Sequence, residues 1–386
     1  MDRIAQLLAS AREQTGLHDF GQDSFREGLD VLVTALDREA RLNATGREVM
    51  DGQIVDLLSN RLRIEDWFGR HPEIDEQEIV APLIGIGLPR TGSSALGCLL
   101  GEDPHARSLR TWETTSPCPP PDPATYARDP RIARQEAAMV HRARMFPRMV
   151  GMLPSTATSP TECQLFMGFD FKSQVFEPFA EIPSYVDWLI HKADLVPTYR
   201  YLKRVLKLLQ WRWPAGTRWR IKNPSHILFV DALNQVFPDA RFVMTHRDVA
   251  AVIPSVADLY SELRKALSDT ADLPAIGREC SDWCELGMRR MIGFRSAAAQ
   301  DNRFFDIHFE PFQADPFPIM KELYAFLGEE LTPEARAGMR AWRQATPRSE
   351  QKYERTDPAD FGLDLPALRE RFRFYSDRFG MTATTT

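Results

Sequence analysis

The sequence predicts an α/β protein of three layers, in which helices cover both faces of a central parallel sheet. Two observations predict this fold class. A strand, a glycine-rich loop and a helix follow one another in residues 78–100, and strand and helix patterns alternate again in residues 218–263. Alternation of this kind, with apolar strands, is typical of a parallel sheet that is buried between helices.

The first 78 residues are predicted to be a helical region that packs on the core. In "FREGLDVLVTALDREARL" apolar residues recur at helical spacing, with charged residues on the opposite face. The pattern changes at "EIVAPLIGIGL", which predicts the first buried strand, and "SSALGCLL" predicts the helix after it. We therefore expect a helical region over 1–78 and an α/β domain over 79–386, joined as one compact unit.

The middle of the chain predicts a helical insertion between two α/β units. The segment "SPCPPPDP", residues 116–123, is rich in proline, which excludes a helix there. Helical patterns follow over 130–210, so the insertion spans about 116–210. The second unit contains the predicted strands "RWRI" and "RFVMT", a turn "KNPSH" with Ser225 as helix N-cap, and a further strand "RFFDIHF". The remainder is predicted to be largely helical.

Composition excludes several classes of function. The net charge of -6 argues against a protein that coats nucleic acid or an anionic membrane. The five cysteines form no C-x-x-C pair and no cluster with histidines, so we predict no metal site and a reduced, cytoplasmic location. The N-terminus lacks the apolar core of a secretory signal, and no apolar run is long enough to span a membrane.

The stretch "GIGLPRTGSS" resembles a phosphate-binding loop with one residue changed. Gly87 and Gly92 are spaced as in G-x-x-x-x-G-K-[ST], but Ser93 stands where the lysine would be. The positive charge lies inside the loop instead, at Arg90, whose planar guanidinium suits a tetrahedral oxyanion. Backbone N–H groups at a helix N-terminus favour an anion as well. A tight turn without a ligand is the alternative.

A second anion-binding motif is predicted in "THRDVAAVIPS". Arg247 ends a predicted strand, and Ser255 lies eight residues later on the following helix. The carboxyl ends of parallel strands face the ligand crevice of an open α/β sheet, so both side chains could hold a second phosphate. In the alternative, Arg247 pairs with Asp248, and Ser255 only follows the kink at Pro254.

Together these stretches resemble one enzyme family. "GLPRTGSSAL" and "RIKNPSHILFVDALNQVFPDARFVMTHRDVAAVIPS" are similar to the sulfotransferases, in particular to a bacterial branch that shares the arginine-type loop with tyrosylprotein sulfotransferases. "RTWE" and the tail "DFGLD…RFRFYSDRFG" fit the same branch. The resemblance implies a P-loop-NTPase-like fold. It also implies transfer of a sulfuryl group from 3′-phosphoadenosine 5′-phosphosulfate (PAPS) to a hydroxyl, with release of 3′,5′-adenosine bisphosphate.

The resemblance also implies which residues bind PAPS, without a metal ion. The 5′-phosphosulfate would be held by the phosphate loop, namely by Arg90, Thr91, Gly92, Ser93, Ser94 and Ala95. The 3′-phosphate would be held by Arg247 and Ser255. Ser93 stands where the arginine-type loop more often has threonine, but it keeps the hydroxyl group.

Catalytic roles follow from the same resemblance, with Arg90 stabilising charge on the transferred group. Glu113 in "RTWETT" is the predicted base, although it lies about two residues further from Arg90 than in the tyrosylprotein enzymes; a salt-bridged glutamate beside Arg110 is the alternative. Lys222 corresponds to the catalytic lysine of the family, or else it only caps the sheet. His226 is a competing base or a structural histidine.

The predicted acceptor is a small molecule, and its identity stays open. Residues 163–189 are rich in aromatic side chains, which either line an apolar pocket for a lipophilic or aromatic alcohol or pack as core. The tail that carries Lys352 could close over PAPS, and a homodimer is compatible with the sequence. Two other functions remain: a P-loop-type kinase or phosphotransferase, which Ser93 argues against, and a non-catalytic nucleotide-binding protein.

Overall fold

A parallel sheet of five short strands lies at the centre of the protein. The computed structural model describes residues 2–152, 155–214, 217–297, 300–346 and 355–381. The strand order is β2-β3-β1-β4-β5, and every neighbouring pair is parallel. The strands are β1 (Leu83–Ile86), β2 (Ala106–Ser108), β3 (Arg218–Lys222), β4 (Arg241–His246) and β5 (Phe304–His308). Four of them are predicted from apolar patterns, whereas β2 has three residues and no such pattern.

Helices make up most of the described chain and surround this sheet. The helices are α1 (Arg3–Thr15), α2 (Ser24–Arg38), α3 (Ala44–Arg70), α4 (Ser93–Leu100), α5 (Thr111–Thr115), α6 (Pro130–Met145), α7 (Pro147–Met152), α8 (Gln164–Gly168), α9 (Pro183–His191), α10 (Val196–Gln210), α11 (Val230–Val236), α12 (Val249–Leu267), α13 (Leu273–Ser296), α14 (Phe309–Ala314), α15 (Pro316–Leu327), α16 (Pro333–Ala345), α17 (Leu365–Arg371) and α18 (Arg373–Phe379). None of the helices in the described ranges combines the length and the apolar character that a membrane crossing needs.

The two faces of the sheet are buried against different sets of helices. Leu83 of β1 and Val243 of β4 pack in one apolar cluster with side chains of α4, α15 and α16. Their neighbours in the same strands, Ile84 of β1 and Phe242 of β4, pack in a larger cluster with α2, α3, α10, α12 and α13. Successive side chains of a strand point to opposite faces, so this division gives three layers. The predicted α/β/α class is confirmed, and the boundary near residue 78 stays a prediction.

The turn after β3 differs from the prediction at its cap. Residues Pro224–Leu228 form a 3₁₀ helix, and Asn223 is its N-cap, not Ser225. The Asn223 side-chain oxygen accepts hydrogen bonds from the Ser225 N–H at 3.0 Å and from the Ser225 hydroxyl at 2.6 Å. Asparagine is among the preferred N-cap residues, and here it stands directly before the proline that begins the helix.

Candidate active site

The phosphate-type loop joins the end of β1 to the first turn of α4. Its backbone is left-handed at three positions, with φ of 128° at Gly87, 63° at Arg90 and 93° at Gly92. A Cβ atom on Gly92 would lie 3.1 Å from the ring of Phe309, so this position favours glycine for its conformation and for its space. The hydroxyl of Thr91 bonds Leu88 and Thr245 inside the protein. The side chain of Thr91 therefore supports the loop, and only its backbone is available to a ligand.

The structure brings Arg90, Arg247 and Ser255 together, although 165 positions separate the first from the last. The Nε of Arg90 donates to the Ser255 hydroxyl at 3.0 Å. The Nη1 of Arg247 donates to the Arg90 carbonyl at 3.0 Å, and its guanidinium lies 4.1 Å over the ring of Phe309. The two predicted anion motifs are therefore one cluster.

The alternative pairing of Arg247 with Asp248 is not formed. Asp248 accepts from the Ala250 N–H at 3.0 Å as the N-cap of α12, and its other oxygen binds Arg369 at 2.8 Å. Burial lowers the pKa of Arg247, and the charges of Arg355 and Arg90 lower it further. Like charges held this close favour the binding of an anion between them.

These cations lie at one end of a cleft of about 840 Å³. The cleft runs from the phosphate loop and the carboxyl ends of β3 and β4 to a wall formed by α6, α7, α12 and α13. Ser93 and Ser94 line it at the start of α4. The carboxyl edge of a parallel sheet is where ligands bind in open α/β folds, so the sheet topology and the cleft agree.

Lys222 is the last residue of β3 and lines the cleft. Its Nζ donates to Glu162 Oε1 at 2.9 Å. Two glycines leave room for its stem: a Cβ atom on Gly85 would lie 2.8 Å from the Lys222 Cβ, and one on Gly97 would lie 3.4 Å from its Cε. The ammonium group is thus held at the cleft instead of only capping the sheet.

Glu113 does not reach this cleft. It is fully buried in α5, where Oε2 accepts from the Arg110 N–H at 2.9 Å and Oε1 accepts from the guanidinium of Arg107. That guanidinium lies 4.2 Å from the ring of Trp213 and 4.6 Å from that of Trp219. A general base must reach the proton that it removes. The geometry therefore does not support the base role predicted for Glu113, which is a buried ion-pair partner.

His226 is also remote from the cleft surface. It is fully buried, with Nδ1 2.9 Å from the Tyr199 hydroxyl and Nε2 3.3 Å from Cys163 Sγ. Burial lowers the pKa of His226 to about 3, so the ring is neutral at physiological pH. The structural alternative accounts for these contacts, and the base role has no geometric support. Lys352 lies outside the described residues.

Glu162 is a candidate residue that the sequence does not indicate. Its neighbours are bonded to two strand ends: the Thr161 N–H donates to the Leu109 carbonyl at 2.9 Å and the Cys163 N–H to the Lys222 carbonyl at 3.0 Å. These partners are more than 50 positions away in the chain. No local pattern predicts such pairings, so the sequence did not indicate that this glutamate lies at the cleft.

The apolar wall of the cleft also differs from the prediction. Phe166, Phe171 and Phe176 of the aromatic segment have no exposed surface, so this segment is mainly core, as the alternative held. The wall consists instead of Phe146, between α6 and α7, and of side chains on α6, α7, α12 and α13, among them Met149, Met152, Leu259 and Trp283. Within the described ranges, no three His, Cys, Asp or Glu side chains gather as a metal-ligand group.

Comparisons with known proteins agree with this geometry. Residues 82–333 match the model of the sulfotransferase family. Sulfotransferase STF9 from Mycobacterium avium is 30% identical and superposes with a TM-score of 0.89, over 99% of this chain and 98% of that chain. Sulfotransferase STF1 from Mycobacterium tuberculosis H37Rv is 30% identical, with a TM-score of 0.83 over 96% and 98%. No curated protein matches the sequence. The chain therefore belongs to the sulfotransferase family.

Proposed function

We propose that this enzyme, a sulfotransferase of class EC 2.8.2, transfers the sulfuryl group of PAPS to a hydroxyl of an apolar small molecule. The product on the donor side is 3′,5′-adenosine bisphosphate. One observation carries the choice of donor: Arg90, Arg247 and Ser255 meet at the phosphate loop, at one end of a large cleft. A nucleotide with phosphate groups on both sides of its ribose would use both parts of this cluster.

The donor set fits such a nucleotide. The left-handed loop ends at Gly92 and presents the N–H groups of residues 92–95 and the hydroxyls of Ser93 and Ser94. We assign these groups and Arg90 to the 5′-phosphosulfate, and Arg247 with Ser255 to the 3′-phosphate. Bound there, PAPS supplies an activated sulfuryl group. The cations of the protein stabilise the negative charge that develops during transfer, which is commonly the largest catalytic contribution.

The far wall of the cleft supports an apolar acceptor. Met149, Met152 and Phe146 line this wall, and methionine side chains adapt to irregular apolar shapes. Val140 and Val150 line the same cleft and are 55% and 52% exposed, which leaves their surface available to a ligand. Burial of such apolar surface contributes about 25 cal/mol for each Å². The five free cysteines are compatible with the cytoplasmic location that we also propose.

Calorimetric titration tests the donor. The protein should bind 3′,5′-adenosine bisphosphate without magnesium and respond little to ATP. Arg247→Ala should weaken binding by roughly 10- to 100-fold, because a charge-assisted hydrogen bond contributes about 1.5–3 kcal/mol. Arg134→Ala is the control, since Arg134 is exposed on α6 and does not line the cleft. Preference for ATP would contradict the proposed donor and favour the kinase alternative, whereas unchanged affinity in Arg247→Ala would remove Arg247 from the site.

A matched pair of valine variants tests the acceptor. Val150→Asp places a charge in the apolar wall and should raise the KM for apolar alcohols about tenfold. Val80→Asp is the control, because Val80 is 50% exposed and does not line the cleft. An equal effect of both changes, or better turnover of polar than of apolar alcohols by the wild type, would contradict an apolar acceptor.

A further inference from the structure

We propose that Glu162 is the catalytic base that takes the proton of the acceptor hydroxyl. This inference rests on the proposed function. It assigns to a residue in an irregular segment the role that the sequence predicts for Glu113. Three features carry it: the position of its backbone, the contacts of its side chain and the absence of another suitable base along the described part of the cleft.

The backbone on both sides of Glu162 is fixed at the ligand-binding edge of the sheet. Thr161 is bonded to Leu109, next to the end of β2, and Cys163 is bonded to Lys222, the last residue of β3. An isolated antiparallel bridge between Pro160 and Arg110 adds a third point of attachment. Positions held between two strand ends are more exact than positions on a free loop, and catalysis requires that exactness.

The side chain of Glu162 reaches the cleft with one oxygen bonded and one available. Oε1 accepts from the Lys222 Nζ at 2.9 Å, and within the described residues Oε2 has no hydrogen-bond partner. The Glu162 side chain is 35% exposed, whereas the Lys222 side chain is 12% exposed. The lysine therefore orients the carboxylate, while Oε2 remains open to a hydroxyl group in the cleft.

Other titratable groups on the cleft surface are poor bases at neutral pH. Among the described residues that line the cleft, Glu162 is the only carboxylate, and none is a histidine. Burial raises the pKa of the Cys98 thiol and that of the Tyr260 phenol, so both hold their protons. Lys222 and the arginines are cations and cannot accept a proton. The carboxylate of Glu162 is thus the group suited to the task.

The step balances with the groups at hand. The acceptor hydroxyl gives its proton to Glu162 Oε2 as its oxygen forms a bond to sulfur. The bond between sulfur and the bridging oxygen of the donor breaks, and its electron pair leaves with 3′,5′-adenosine bisphosphate. Lys222 carries positive charge beside the transfer site throughout. Glu162 then returns the proton to water through the open cleft.

Substitution of Glu162 by Gln and by Asp tests the base role. With an aliphatic alcohol as acceptor, Glu162→Gln should lower kcat by about 10²–10⁴, the usual contribution of a positioned base. Glu162→Asp should retain part of the activity. The affinity for 3′,5′-adenosine bisphosphate should stay within about twofold of the wild type in both variants. If the Gln variant keeps full activity, Glu162 is not the base.

Two further readouts separate a base from a residue that only positions Lys222. The loss in Glu162→Gln should be much smaller for an acidic phenol than for an aliphatic alcohol, because a phenolate needs no base. The acid limb of the kcat/KM profile should disappear in the same variant. Equal losses for both acceptors and an unchanged acid limb would overturn the base role. Failure of the wild type to bind 3′,5′-adenosine bisphosphate would instead reject the proposed donor.

Discussion

Two glutamates near the same edge of the sheet illustrate how context decides a role. Glu113 lies in α5, shortly after β2, and Glu162 lies between two residues that are bonded near the ends of β2 and β3. Each glutamate is paired with a cation, Glu113 with Arg107 and Glu162 with Lys222. Glu113 has no exposed surface and both its oxygens are engaged, whereas Glu162 opens to the cleft with one oxygen available. An ion pair is therefore weak evidence for function until its access to the ligand site is known.

The largest effect expected from this comparison is on stability, at Glu113. Glu113→Gln leaves Arg107 as a buried charge without its carboxylate, which should cost about 3–5 kcal/mol of unfolding free energy. Glu162→Gln breaks a pair whose carboxylate is partly exposed and should cost less than about 1 kcal/mol. Denaturant unfolding of both variants measures the difference. Equal losses would mean that the two pairs do not differ in burial as described.

His226, which supports Cys163 beside Glu162, should have the next largest effect. The pKa of His226 is lowered to about 3 in the folded protein from 6.5, so its stabilising contribution is complete above about pH 6.5. The unfolded chain binds the proton first, and the contribution is lost as the pH falls from 6.5 towards 3. His226→Asn should cost about 1–3 kcal/mol at pH 7 through lost buried hydrogen bonds.

The pH dependence of unfolding checks the assignment of His226. Between pH 7 and pH 4 the stability of the wild type should fall more steeply than that of His226→Asn. Parallel curves for the two proteins would show that His226 does not remain neutral in the folded state. In His226→Asn the contact with Cys163 is lost, so the neighbouring Glu162 should be held less exactly. The value of kcat should therefore fall by a larger factor than the affinity for the donor.

Two glycines that contact Lys222 test whether the position of this lysine beside Glu162 matters for turnover. In Gly85→Ala the new Cβ would lie 2.8 Å from the Lys222 Cβ, so the strand must shift, at a cost of about 1–3 kcal/mol. The Lys222–Glu162 contact should be displaced, and kcat should fall about tenfold. Gly97→Ala is the control, because its Cβ would make an ordinary contact at 3.4 Å. Turnover should be measured for both variants. A larger loss of kcat in Gly97→Ala than in Gly85→Ala would contradict this prediction.

The smallest effect concerns a third carboxylate–cation pair at the rim of the same edge. Asp248 and Arg369 form an ion pair of 2.8 Å, and the arginine side chain is 36% exposed. Arg369→Ala should cost at most about 1 kcal/mol of stability. It should weaken the binding of 3′,5′-adenosine bisphosphate only a few-fold, because the negative charge of Asp248, no longer paired with Arg369, would lie beside Arg247 and oppose the bound anion. A loss as large as that in Arg247→Ala would show that Arg369 contacts the donor itself.

Several features of the fold and the candidate site can be predicted from local sequence. The apolar strands, the helices on either side of them and the glycines of the loop all follow from periodicity and backbone geometry. The convergence of Arg90 with Arg247 and Ser255 also follows, because strand ends of a parallel sheet share one edge. β2 could not be predicted, since three residues carry no pattern.

The apolar wall of the cleft could not be predicted from local sequence. An aromatic segment can be core or pocket wall, and only packing decides which. Phe171 and Phe176 stack within the core, while Met149 and Met152 of the short helix α7 face the cleft. Arg148 helps to place that helix by binding Asp258 at 3.1 Å and Glu262 at 2.9 Å, residues more than 100 positions away.

The sequence alone determined the parallel α/β sheet, the glycine-rich loop with its arginine and the resemblance to sulfotransferases, because each depends on neighbours along the chain. The tertiary structure decided which glutamate faces the cleft. Glu113 is buried because Arg107, which lies close to two tryptophan rings, requires a buried counter-ion. Glu162 is carried outward because its neighbours complete the hydrogen bonding of two strand ends. Both outcomes depend on partners distant in sequence, which local patterns do not encode.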